Sequence, residues 1–182
     1  LTNGEVAVVA SLSGRRGGRF NLQMNANVAS DRIELAARGE FAGRRIGMPR
    51  RAVLTKLDDG GWALAPTQLS FGRGFVLAEG QFGGGGATEF EVKLANMPLS
   101  LVDIAIADFG LGGTVSGIVD YRGQAGELPS GSARLKIDNL SRSGLVLTSL
   151  PIDVLLVSRL AGSQLETRAV IDEGGERRGP IQ

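Results

Sequence analysis

The strongest constraint on this chain is strict two-residue alternation, restarted many times and punctuated by glycine. Phe20, Leu22, Met24, Ala26 and Val28 alternate with Asn21, Gln23, Asn25 and Asn27. Phe90, Val92 and Leu94 alternate with Glu89, Glu91 and Lys93, and Ala133, Leu135 and Ile137 with Arg134, Lys136 and Asp138. A period of two puts one set on each face of a β-strand, so each segment reads as a half-buried strand. Val6 to Leu12, Ile33 to Ala37, Arg51 to Leu57, Trp62 to Phe71, Phe75 to Phe82, Thr114 to Arg122, Leu145 to Leu147, Ile152 to Leu160 and Leu165 to Ile171 read the same way. Gly39 to Arg50 reads as a connection with a short strand around Phe41. Pro66 cannot donate to a ladder, so it marks an edge or a bulge.

Glycine is costly inside regular elements, so the 28 glycines are expected at turns, bulges and strand ends. Asp58-Asp59-Gly60-Gly61 is the strongest turn signal. Ten to twelve strands in short succession favour antiparallel neighbours. A sheet of this kind must hide its apolar face as a sandwich, a barrel or a curled trough.

One stretch leaves this pattern. In residues 97–113, Leu99, Val102, Ile106 and Phe109 recur at helical spacing, Pro98 suits a first helical position, and Gly110, Gly112 and Gly113 supply a stop. The spacing predicts a short helix whose apolar stripe packs on the sheet. The chain therefore divides into a first strand set (1–95), the helix and Gly-rich step (97–113), a second strand set (114–173) and a polar tail (174–182). With Leu1 rather than Met at the start, it reads as a piece of a longer protein.

Chemistry is excluded more readily than assigned. The absence of His and Cys removes Ser–His–Asp and Cys–His sites and the common zinc ligand sets. No metal, cofactor or catalytic residue is expected, and an enzyme is the least favoured class. Glu89 with Glu91, and Asp58 with Asp59, read as a solvated strand face and a turn. Gly83 to Gly86 lacks the Lys-Ser/Thr of a phosphate loop, and Gly110-Leu111-Gly112 follows a helix and precedes a strand, the reverse of a dinucleotide fingerprint. A net charge of +1 gives no overall pull towards nucleic acid. The basic clusters Arg15, Arg16, Arg19 and Arg44, Arg45, Arg50, Arg51 lack aromatic platforms, so lipid headgroups or solvent suit them better.

Asn96-Met97-Pro98-Leu99-Ser100-Leu101-Val102, then Phe109-Gly110-Leu111-Gly112-Gly113-Thr114-Val115-Ser116-Gly117, Tyr121-Arg122-Gly123, the Pro129 to Gly131 turn and the alternating Ala133 to Leu140 form an ordered series. Together with Leu69-Ser70-Phe71-Gly72-Arg73-Gly74, this series resembles the TamB family of the translocation and assembly module, which is related to AsmA-like proteins. The resemblance spans most of residues 60–175 and has no catalytic signature. It implies a β-taco: a long antiparallel sheet curled into an open groove with an apolar interior. It also implies a periplasmic location in an inner-membrane-anchored protein of a Gram-negative bacterium, phospholipid as cargo, and a TamA-like outer-membrane barrel as partner. The function implied is outer-membrane biogenesis: phospholipid transfer between membranes, outer-membrane protein assembly or autotransporter secretion. On that expectation the groove is lined by Phe75, Leu77, Phe90, Val92, Leu94, Val115, Val119, Tyr121, Leu135, Ile137 and Leu165. The alternatives are a chaperone-like scaffold that binds client strands by β-augmentation, and a structural β-sandwich spacer.

Overall fold

A computed structural model describes residues 4–15, 18–101, 110–143 and 150–172. These form twelve strands: β1 (Val6–Arg15), β2 (Arg19–Val28), β3 (Arg32–Phe41), β4 (Arg44–Gly47), β5 (Ala52–Lys56), β6 (Trp62–Phe71), β7 (Gly74–Phe82), β8 (Thr88–Pro98), β9 (Leu111–Gly123), β10 (Ser130–Arg142), β11 (Ile152–Ala161) and β12 (Gln164–Asp172). All belong to one sheet, every pairing is antiparallel, and spatial order follows chain order. The short strands β4 and β5 share one lane between β3 and β6, interrupted by residues 48–51 with Pro49. The sheet therefore has eleven lanes.

The two ends of the expected helix are strand, and its middle, residues 102–109, lies outside the described residues. Met97 and Pro98 complete β8, and Leu111 to Gly113 open β9. Leu99–Leu101 form a single 3₁₀ turn, and at Met97 and Pro98 continued strand pairing outweighs the helical spacing. Val102, Ile106 and Phe109 lie outside the described residues, as do Leu145 to Leu147 and the tail 174–182. The two expected strand sets are one sheet, because β8 pairs directly with β9.

Three one-residue bulges bend it. They fall at Ala65-Pro66 in β6, Ala95-Asn96 in β8 and Asp138 to Leu140 in β10. A bulge adds local twist and curvature and leaves a backbone group without its ladder partner. At two of the three, Asn96 and Asn139 take left-handed backbone (φ 48° and 56°). Both freed amides are recovered by the next strand. Asn96 N–H donates to Ser116 Oγ (2.9 Å), and Asn139 N–H to Asp153 Oδ1 (2.8 Å). Pro66 sits where a missing N–H costs least.

Burial is sparse. Phe71 and Phe41 are 1% and 2% exposed, and Met97, Ala52 and Val154 follow. Phe41, Phe71 and Met97 form one cluster with Phe20, Ile46, Val76, Leu94, Leu101 and Val115 packed against it. Their strand positions place this cluster at the end of the sheet where β3 turns into β4 and β6 into β7, here termed the Phe41 end. The opposite end carries the β5–β6 and β7–β8 turns and is termed the Trp62 end. The accessible surface, 12901 Å², is about 1.5 times the roughly 8,400 Å² expected of a compact 19.0 kDa chain. The excess fits a single extended layer.

Candidate functional site: an apolar sheet face

Cross-strand partners share a face, so the pairing sorts every side chain. One face carries Phe20, Leu22 and Met24 of β2, Ile33 and Leu35 of β3, Leu54 of β5, and Trp62, Leu64, Leu69 and Phe71 of β6. It continues through Val76 and Phe82, then Phe90, Val92 and Leu94, Val115, Val119 and Tyr121, Leu135 and Ile137, Val154 and Leu156, to Leu165 and Ile171. No Asp or Glu lies on it. Its charged residues, Arg44, Lys56 and Arg142, sit at strand ends.

The other face carries nearly all the strand charges, several of them in pairs, with Val9, Leu77, Leu155, Val157 and Val170 as apolar exceptions among them. Arg32–Glu34 (2.9 Å), Lys93–Glu91 (2.7 Å), Lys136–Asp138 (2.7 Å) and Arg168–Glu166 (3.1 Å) each join residues two apart on one strand. Arg122 pairs with Glu89 across β9 and β8. Hydrogen bonds donated to Glu91 and Asp138 hold Lys93 and Lys136 above their ordinary pKa of 10.5, and the same carboxylates add a coulombic share. A raised lysine pKa is a contribution fully present at neutral pH and lost only as pH rises through the raised value. These pairs are solvated, so each adds little to stability.

Nine of the eleven residues expected to line a groove share the apolar face: Phe90, Val92, Leu94, Val115, Val119, Tyr121, Leu135, Ile137 and Leu165. All but Leu165 form one contiguous patch on β8, β9 and β10. Phe90 and Tyr121 stack at its edge towards the Trp62 end, ring centroids 5.1 Å apart. Leu165 stands apart on the edge strand β12, opposite Leu160 and 68% exposed. Phe75 and Leu77 are on the opposite face. They pair with Ala95 and Lys93, because Val76 takes the apolar-face position between them. A run of consecutive apolar residues, Phe75-Val76-Leu77-Ala78, does not reveal its own phase. Of the four residues expected to pack a helix on the sheet, Leu99 lies in the 3₁₀ turn, and the other three lie outside the described residues. The sequence also pointed less clearly to β2–β7, whose aromatic and aliphatic residues extend the same face.

Glycine contributes to this face in an unexpected way. Gly39, Gly74, Gly80, Gly117 and Gly131 lie in strands, on the apolar side, rather than in turns. Gly117 has φ 148°, and a Cβ there would sit 2.0 Å from the Arg134 carbonyl oxygen. At Gly80 it would sit 2.2 Å from the Glu89 carbonyl oxygen. The neighbouring strand's backbone occupies the side-chain space, the arrangement by which glycine kinks curve a sheet. Gly80 and Gly117 flank the Phe90, Val92 and Leu94 stripe, which leaves those side chains room to lean.

The charged face holds a basin of about 670 Å³ lined by Glu79, Gln81, Glu89, Glu91, Asp120 and Arg122. Most of its acids are already engaged: Glu89 by Arg122, Glu91 by Lys93, and Asp120 by both the hydroxyl (2.6 Å) and the backbone N–H (3.0 Å) of Ser132. Among the described residues no group of His, Cys, Asp or Glu is arranged to hold a metal ion. No described helix is long and apolar enough to cross a membrane. The apolar face is therefore the surface with the least ordinary explanation, since contiguous exposed apolar patches beyond a few hundred Å² mark interaction sites. Comparison with known proteins finds no matching family model, no similar curated protein and no similar solved structure.

Proposed function

We propose that this chain is a segment of a groove that shields phospholipid acyl chains between membranes, in the manner of the TamB-like proteins its sequence resembles. The observation that carries the reading is an apolar face free of acids across eleven lanes, with no second layer to cover it among the described residues. Phe82 and Phe90 remain 45% and 39% exposed on it, near the Trp62 end. An acyl chain laid along such a face gains ~0.8 kcal/mol per buried CH₂, enough for reversible holding without covalent chemistry. The curvature from bulges and glycine kinks supports a trough rather than a flat ribbon. In this reading the parent protein is anchored in the inner membrane, works in the periplasm and meets an outer-membrane barrel.

The test is lipid analysis of the chain purified without detergent, by solvent extraction and native mass spectrometry. Phospholipid is expected to co-purify. Val119→Glu, at the centre of the patch, should lower bound lipid at least tenfold while far-UV circular dichroism still reports β-structure. Protein that carries no lipid and takes up no fluorescent long-chain fatty acid would overturn the proposal.

A second reading, strand capture by β-augmentation, is favoured by β1. This edge strand pairs only with β2, and from Val6 to Ser13 it has no charge, proline or bulge. Val9 is 78% exposed on it. The other edge, β12, is interrupted by Glu166, Arg168 and Asp172. Natural edges are usually protected by such charges. Self-association through β1 is therefore expected in light scattering at high protein concentration, and Val9→Lys should return the chain to monomer. A wild-type chain that stays monomeric would remove this reading.

A further inference from the structure

The two ends of the sheet have opposite turn chemistry. The turns of the Trp62 end contain Asp31, Asp58, Asp59 and Glu127, with Arg32 and Lys56 as the basic residues directly flanking them. The turns of the Phe41 end between β1 and β7 are flanked by Arg15, Arg19, Arg44, Arg45 and Arg73, all exposed. Aspartate and asparagine are the usual turn residues, so an arginine series there is not explained by turn geometry.

These turns form one surface. Ala42 N–H donates to the Arg19 carbonyl (2.9 Å), which ties the β3–β4 turn to the start of β2. Gly72 N–H donates to the Arg45 carbonyl (2.8 Å), which ties the β6–β7 turn to β4. Arg44 crosses beside Gly72 and donates to Ser100 Oγ (3.1 Å) on the 3₁₀ turn. Three successive turns thus stand side by side. None of Arg15, Arg19, Arg45 and Arg73 has an ion-pair partner among the described residues, although Glu40 stands opposite Arg45. Beside them, one residue beyond Gly74, Phe75 is 38% exposed on the charged face. An unpaired guanidinium series next to an exposed aromatic ring is the chemistry of an anionic lipid–water interface: bidentate donors for phosphates and a ring for the headgroup layer.

We propose that the Phe41 end docks on an anionic membrane surface, with Arg19, Arg44, Arg45 and Arg73 on headgroup phosphates and Phe75 entering the interface. This assigns the molecule an orientation, acidic end away from the bilayer, and it stands apart from whether the apolar face holds acyl chains.

The experiment is co-sedimentation of the 182-residue chain with vesicles of equal parts phosphatidylglycerol and phosphatidylcholine, against phosphatidylcholine alone. Binding is expected to the anionic vesicles only and to weaken with added salt. Each arginine near the surface contributes about fivefold, so Arg19→Gln/Arg44→Gln/Arg73→Gln should weaken binding on the order of a hundredfold. Lys56→Gln/Arg134→Gln/Arg159→Gln removes the same charge elsewhere and should change binding less than tenfold. Phe75→Ser should cost about tenfold and leave the salt dependence unchanged. Melting curves of all variants report whether the sheet is intact. Equal losses in the two arginine triples, no preference for anionic vesicles, or binding to RNA in place of vesicles would each overturn the proposal. Bound lipid in a protein that ignores vesicles would overturn docking and leave the groove reading standing.

Discussion

Gly117→Val is expected to destabilise the sheet by at least ~3 kcal/mol, since the site combines a backbone conformation closed to β-branched residues with a direct collision. For a chain of this length that corresponds to a fall of about 6–12 °C in the melting midpoint. The collision is with backbone: the new Cβ would lie 2.0 Å from the Arg134 carbonyl oxygen and 2.9 Å from Leu135 Cα. No side-chain rotamer can relieve that contact, so β9 and β10 must separate or lose their pairing. Gly47→Ala supplies the control. Gly47 is also in a strand, but a Cβ there meets nothing within 4 Å. That variant should match the wild type or gain a few tenths of a kcal/mol through the unfolded state. Similar melting of all three proteins would show that the kink at Gly117 is not a requirement of the fold.

The second large effect is Phe71→Ala. Phe71 is 1% exposed and faces Phe41, ring centroids 6.2 Å apart, with Met97 completing the cluster. Removing such a ring costs on the order of 3–5 kcal/mol, from lost transfer energy plus the cavity left behind. Phe90→Ala removes the same number of atoms from a site that is 39% exposed. Water already reaches that ring and would fill the space, so the cost should be less than half as large. The contrast measures something the fold alone does not, namely that the apolar face is closed at the Phe41 end and accessible towards the other. Thermal or urea denaturation of the two variants decides it. Equal losses would mean that Phe90 is as well covered as Phe71, and an open face for ligand would be ruled out.

Much of the architecture was legible because alternation reports directly on half-burial. Thr88 to Leu94 and Ala133 to Ile137 keep their expected phase, and Pro66 falls at a bulge because a missing donor is tolerated there. Phase was lost where apolar residues run consecutively, which put Phe75 and Leu77 on the wrong face. The two ends of the stretch 97–113 misled for a related reason. Leu99 and its neighbours carry a period compatible with a helix, but Met97 opposite Val115 and Pro98 opposite Thr114 extend the ladder. Pairing partners are long-range, so local spacing could not report them. The in-strand glycines were equally hidden, because a glycine that ends a strand and one that bends it look the same in sequence.

The order of strands in space has a further consequence. In the backbone ladder each lane pairs only with the lanes next to it in the chain, apart from the shared lane of β4 and β5, and the Phe41–Phe71–Met97 cluster is the main contact across lanes. The molecule is then close to a one-dimensional array, whose stability is a sum of lane energies and nearest-neighbour couplings. Contacts of low sequence separation also form early and fast. Folding can begin at any hairpin and spread outwards, and the terminal β11–β12 hairpin can be deleted without unfolding the lanes that remain. Length in such a molecule is adjustable by whole hairpins, so reach across a gap can be changed without redesigning a core.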